Sequence, residues 1–292
     1  MCGRPNLTVP QPVRAPSYEE HAPCPALRNH VACYWTLDGV LESDRLVSTR
    51  TPSAPPGGHR VLPDGCMDLL MDLAGGASLV GTMTTAIVAP TTPRTRFFGV
   101  RFRPGEAFAF VGVPGVDVRD AVLPLRDAWG SLADRLADRV ASAPDTAARV
   151  AAVDRELLGV LARTRPADAR VRRAVMQILG SPAEARVAWL ARDVGVGERQ
   201  LERAFGERVG IGPKAFARVA RLQMLVERLA HTAPGAAPQW AALAADVGYA
   251  DQPHLVREVK RLAGITPTEL ARVYAMTDSF NTEPAARDTT GA

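Results

Sequence analysis

Residues 190–218 read LARDVGVGERQLERAFGERVGIGPKAFAR, and residues 243–272 read LAADVGYADQPHLVREVKRLAGITPTELAR. Set side by side, they are one pattern written twice. Leu190, Ala191, Asp193, Val194 and Gly195 recur as Leu243, Ala244, Asp246, Val247 and Gly248, at an offset of 53. One residue is then inserted. Leu201, Arg203, Gly210, Ile211, Pro213, Ala217 and Arg218 recur as Leu255, Arg257, Gly264, Ile265, Pro267, Ala271 and Arg272, at an offset of 54. Self-similarity of this kind marks a duplicated structural unit.

The local chemistry of each copy predicts helix, tight turn, helix. A short helix ends at Val194 or Val247, and the glycine that follows can take the positive φ of a sharp turn. A second helix begins near Glu198 or Asp251, where an acidic side chain suits the positive end of the helix dipole. Leu201 and Phe205, four apart, share one face of that helix, as do Leu255 and Val259 in the second copy. The opposite faces carry Arg199, Glu202 and Arg203 in copy one, and Gln252, His254, Arg257, Lys260 and Arg261 in copy two. These side chains suit hydrogen bonds to base edges and phosphates. Pro213 then opens a long helix over about 214–231, a rod of about 26 Å. A rod of that scale can present two reading helices to successive major grooves, about 34 Å apart. Trp189 and Trp240 precede the copies and read as core aromatics. The rival reading is a helical bundle whose arginines form a solvated face.

Residues 167–275 resemble the DNA-binding domain of the AraC/XylS family of transcription regulators. The string DVGYADQPHLVREVKRLAGITPTEL carries the resemblance, through its GY, Q.H and G.TP elements. Val259 stands where the family usually has Phe. The resemblance implies two helix-turn-helix units joined by a long helix. It places Arg199, Glu202 and Arg203 at the bases of one groove, and Gln252, His254 and Arg257 in the other groove or at its phosphates. The partners it implies are double-stranded DNA, a small-molecule effector and RNA polymerase, with the chain a monomer or a homodimer.

Upstream the texture differs. Between about 21 and 130, short apolar or alternating runs sit between Gly, Pro and Asp turns, which predicts a β-rich, barrel- or cupin-like domain. The strings HRVLPDGCMDLLMDL, VGTMT and FFGVRFRPGEAFAFVGVP resemble a sensor-type domain found in part of the same family. TPSAPPGGHR (51–60) reads as a loop between strands, and EAFAFVGV as a short helix. Residues 131–165 read as a helical connector, with Asp145 as a cap and an apolar stripe through Ala148, Val150, Val153, Leu157, Leu158 and Leu161. That stripe suits either the domain's own core or a dimer seam. Arg165-Pro166 marks the boundary to the DNA-binding domain, 166–276. Residues 1–20 and 277–292 read as disordered tails. The fold class is α+β, β-rich at the N-terminus and all-α at the C-terminus.

Effector-binding candidates are polar or aromatic residues within the strand-like runs: Tyr34, Trp35, His59, Asp64, Cys66, Asp68, Arg101 and Arg103. Arg101 and Arg103 alternate with Val100 and Phe102, so they are expected on one strand face, holding an anion or sitting in salt bridges. The cysteines and histidines here fit no zinc spacing, so no metal or cofactor is expected. Cys66 supplies the alternative: a nucleophile or an alkyl, redox or metal sensor fused to a DNA anchor. The chain shows no GxSxG, Walker, HExxH or Rossmann motif, and no catalytic residues are assigned.

Bulk properties agree. The 292 residues are 47% hydrophobic and 23% charged, a globular balance with room for two domains. A net charge of +4 is compatible with a polyanionic partner. No apolar run reaches membrane-spanning length and no signal segment is visible, so a cytoplasmic protein is expected.

Overall fold

The computed structural model describes residues 17–39, 58–90, 92, 94–164, 168–232 and 237–275. Its N-terminal part is built on an antiparallel sheet in the order β1 (Ser17–His21), β2 (Val31–Asp38), β7 (Arg96–Phe102), β4 (Met67–Asp72), β5 (Ala77–Val80), β8 (Val122–Pro124). A separate ribbon pairs β3 (Gly58–Val61) with β6 (Ile87–Pro90). The expected tail at 1–20 is corrected at its end, since 17–20 pair with β2. Likewise 58–60, read as loop, are strand, because they find β6 as a partner. The expected tail at 277–292 lies outside the described residues.

Alternation gives the sheet two unlike faces. Met67, Leu69 and Met71 of β4 lie in register with Phe102, Val100 and Phe98 of β7, and all six are buried. Against this apolar face pack α1 (Phe108–Val111), α4 (Ser131–Ala141) and α5 (Thr146–Leu161), with the short α2 (Gly115–Val118) and α3 (Arg126–Trp129) between α1 and α4. Asp145 caps α5 by accepting from the Ala148 N–H at 2.8 Å. The α5 stripe therefore serves its own domain: Val153 and Leu157 are in the core, and Val150 and Leu161 pack against it. Leu158, from the same stripe, is left exposed.

The C-terminal part is helical: α6 (Ala169–Gly180), α7 (Val187–Asp193), α8 (Glu198–Arg208), α9 (Pro213–Ala230), α10 (Trp240–Asp246), α11 (Gln252–Ala263) and α12 (Pro267–Ala275). The paired turn glycines, Gly195 and Gly248, have φ of 72° and 82°, the left-handed region the repeat requires. Copy one centres on Leu201, Phe205, Phe216 and Ile211. Copy two centres on Leu255, Val259, Leu262 and Ile265. Val259 is fully buried, so the smaller side chain still fills its place. Trp240 packs on the second core, but Trp189 is 49% exposed, contrary to expectation. On α7, Leu190 and Ala191 make the core contact and turn Trp189 outward.

Tyr34, fully buried, donates its hydroxyl to Asp154 Oδ1 at 2.6 Å, joining the sheet to α5. A hydrogen bond to a charged group contributes about 1.5–3 kcal/mol. Tyr34→Phe is therefore expected to lower unfolding free energy by about that amount, read from urea titration.

Candidate nucleic-acid interface and sensor cluster

Helix α8 turns Leu201 and Phe205 inward, which leaves Arg199, Glu202 and Arg203 exposed on its other side. Helix α11 turns Leu255 and Val259 inward and leaves Gln252, Arg257, Lys260 and Arg261 exposed. Among the described residues, the side chains of Arg199, Arg203, Arg257 and Lys260 make no hydrogen bond or ion pair, so their donors are available. Arg261 leans on Glu258 at 3.5 Å, three residues earlier. His254 differs from expectation. Its Nδ1 accepts from the Ala250 N–H at 3.2 Å and its ring lies edge-on to Tyr249, so it braces the turn. Pro253 and Val256, which the sequence reading passed over, line a shallow depression with Gln252 and Arg257 on α11.

The two copies are held to each other through α9. Arg218 makes a two-pronged contact with Glu258 of α11, both bonds 2.6 Å. Arg228 bonds Asp246 of α10 at 2.7 Å, and Arg221 donates to the Gly248 carbonyl at 3.2 Å.

In the N-terminal domain, five of the eight effector candidates converge on the polar face of the sheet. Cys33, Arg101 and Asp68 lie side by side in register across β2, β7 and β4. Arg101 approaches Asp68 and Asp64 at 3.4 Å each, and Glu20 at 4.0 Å. Trp35 donates its indole N–H to Asp68 at 3.1 Å and stacks on Tyr18, which in turn donates to Glu20 at 2.7 Å. Gly99 leaves room beneath; a Cβ there would run into the Trp35 indole. Cys66 flanks the group, its backbone N–H bonded to Asp64 at 2.8 Å.

Three candidates fall elsewhere. Tyr34 belongs to the core, as described. A bulge between Val31 and Cys33 shifts the alternation of β2 and turns Tyr34 inward. Arg103 lies past the end of β7 and donates to the Arg28 carbonyl at 2.8 Å, so it does not share the Arg101 face. For His59, the backbone pairs with Ala89 and its side chain is outside the described residues.

The electrostatics of the cluster correct the anion-holding reading. One guanidinium faces three carboxylates, so the site is short of positive charge. Burial pushes Asp68 up to about 6, against the pull of Arg101 and with a further push from Asp64. Burial works against the charge of Arg101, but Asp68 and Asp64 outweigh it and raise its pKa. Burial, and then Asp64, raise the Cys66 thiol, which keeps it protonated and a poor nucleophile.

Contacts that the sequence reading missed join the two halves of the chain. Glu106, 2% exposed, accepts from Arg172 of α6 at 2.7 and 2.8 Å and meets His30 Nδ1 at 2.7 Å. Pro63 accepts from Gln223 of α9 at 2.7 Å, and Gly65 lies against the Phe216 ring. These pairs are 66 to 160 residues apart in sequence, and no local pattern announces them.

Residues 190–272 match a family model described as a helix-turn-helix domain. The C-terminal third is an AraC-type helix-turn-helix domain. Such a domain binds double-stranded DNA, and the protein is a DNA-binding regulator of transcription. Residues 19–124 match a model described as a domain of unknown function, DUF6597, which spans the sheet and its polar cluster. Among solved structures, the chain is similar to ToxT from Vibrio cholerae O395. That match has 8% identity and a TM-score of 0.40, over 74% of this chain and 94% of that one. A P21 crystal form of ToxT from Vibrio cholerae gives 8% and 0.39, over 73% and 89%. None of the curated proteins matches the chain. Among the described residues, no helix is long and apolar enough to cross a membrane.

The raised Asp68 has a consequence for stability. Its pKa is above the unfolded value of 3.8, so the folded state holds the proton more tightly between about pH 4 and 6. Stability from this group is full below that window and falls as pH rises through it, by at most about 1.4 kcal/mol per pH unit. Denaturant melts of Asp68→Asn across pH 4–7 should lack this fall and cross the parent curve.

Proposed function

We propose that the chain is a sequence-specific regulator that reads two successive major grooves with α8 and α11. A small molecule held at the sheet cluster would control it. The observation that carries the first part is the match between copies. Each presents unpaired arginine donors on the outer face of its second helix, Arg199 and Arg203 on one and Arg257 on the other. In this reading Arg203 and Arg257 reach base edges, as does Gln252, while Lys260 and Arg261 lie nearer the phosphates. Arg203→Ala and Arg257→Ala should each weaken binding to a selected DNA site by about 1–3 kcal/mol, measured by fluorescence anisotropy at one fixed salt concentration. Unchanged affinity in both variants would remove the groove assignment.

For the effector, the cluster of Trp35, Asp64, Cys66, Asp68 and Arg101 is the proposed site. Its charge balance favours a cationic or donor-rich ligand over an anionic one, since a cation would relieve the crowding of carboxylates. The Trp35–Tyr18 stack offers an aromatic surface of the kind cations settle on. The protonated Cys66 thiol favours reversible binding over the nucleophile or redox reading. A thermal-shift screen of amines and guanidines against carboxylates and phosphates tests this, with Asp68→Asn as the control.

A further inference from the structure

The C-terminal end of a helix leaves its last carbonyls without partners inside the helix. In both reading helices those carbonyls are met by the N-terminal domain. The hydroxyl of Thr82, a fully buried residue, donates to the Val209 carbonyl at the end of α8, at 2.6 Å. Arg60 donates through Nη1 to the Ala263 carbonyl at the end of α11, at 3.1 Å, and the Ala86 N–H donates to Leu262 at 2.7 Å.

Val209 and Ala263 are the same position in the two copies, at the repeat offset of 54, each one residue before its turn glycine. Thr82 and Ala86 belong to one segment, the connection between β5 and β6, so three residues separate the tie to the first reading helix from a tie to the second. Thr84 ties this segment to Asp120 through its N–H at 2.6 Å and its hydroxyl at 2.8 Å, and further packing joins the two parts close by. Gly210 lies against the backbone of Gly115, close enough that a Cβ on Gly115 would sit 2.6 Å from the Gly210 nitrogen. Leu62, next to β3, is buried in the core of the second copy. Arg208, the last residue of α8, stacks over the Phe108 ring at 4.0 Å.

We infer that the N-terminal domain acts as a gauge for the DNA module. By capping the equivalent ends of α8 and α11, from the β5–β6 connection and from strand β3, it completes what α9 begins and fixes the separation and relative rotation of the two reading helices. The chain then accepts one spacing between the two halves of its DNA site. Thr82 and Arg60 are positioning residues for recognition; they touch no DNA. The inference rests on the proposal that both helices read DNA, and goes beyond it by assigning the spacing to the sensor domain.

The test uses the full chain. A site is first selected from a random duplex library, and one base pair is then inserted or deleted between its two halves, which shifts them by about 3.4 Å and turns them by about 35°. The parent should lose at least about tenfold in affinity for each altered spacing, the scale of one mismatched base pair. Thr82→Val keeps the side-chain volume and removes the donor; Arg60→Met keeps the length and removes the charge. Their double variant should bind the original site within a few-fold of the parent, yet lose most of the discrimination against altered spacing. Thermal denaturation confirms that the variants are folded. Should Thr82→Val disturb folding, Arg60→Met alone carries the comparison through its effect on the second half-site. A folded variant that keeps the parent's full spacing penalty overturns the gauge. A library that yields no preferred site, or a site with a single half, overturns the two-groove reading instead, so the two failures are told apart.

Discussion

One helix belongs to two cores. The first half of α9 gives Phe216, Ala217, Val219 and Ala220 to the core of the first helix-turn-helix unit. The second half gives Leu222, Leu225, Val226 and Leu229 to the core of the second. Neither unit can bury its apolar face without this rod, which keeps both units on one axis. The polar side of α9 adds to the constraint, since Arg218 and Arg228 bond Glu258 and Asp246 of the second unit. The DNA module is therefore two units on one shared rod, and the N-terminal caps at Val209 and Ala263 complete the setting of its two reading helices. The N-terminal domain meets that module at its centre, where Gly65 lies on Phe216 and Pro63 accepts from Gln223.

The module was legible because its information is local and repeated. A glycine at the turn, a proline at the helix entry and apolar residues four apart each act within a few residues, and the second copy repeats them. The sheet cluster was legible only in part. Alternation is a sound guide along an unbroken strand, and Asp68 and Arg101 do lie side by side on the polar face of the sheet. It failed at strand irregularities. The bulge after Val31 turned Tyr34 into the core, and the end of β7 at Phe102 took Arg103 out of the row. Neither feature leaves a mark in residue type. Trp189 shows a different limit: its size suggested burial, but on a seven-residue helix the inward positions were already filled by Leu190 and Ala191.

The contacts between the halves were not legible at all. Thr82, Glu106 and Gln223 are ordinary residues in sequence, and their importance comes from partners 66 to 160 positions away. Glu106 makes the point most sharply. A buried carboxylate is costly unless its charge is met, and here Arg172 meets it with two bonds from the other half of the chain. Undocking takes both guanidinium bonds from the buried carboxylate, so this contact favours a docked arrangement of the two parts over a loose one.

Docking of this kind bears on how the proposed effector would act. A ligand shifts an equilibrium only by the difference in its affinity for the two states. The turn Leu62–Cys66 is short enough to carry such a difference. Asp64 faces Arg101 in the cluster, while Pro63 and Gly65, on either side of it, face Gln223 and Phe216 of α9. A cation that draws Asp64 away from Arg101 would have to move the backbone that rests on α9, because no spare residues lie between to absorb the change. The same cation bound at Glu20, on the far strand β1, has no such path to the rod. Under the proposed reading, control over DNA binding would therefore concentrate on Asp64, whose carboxylate faces Arg101 while its neighbours rest on α9.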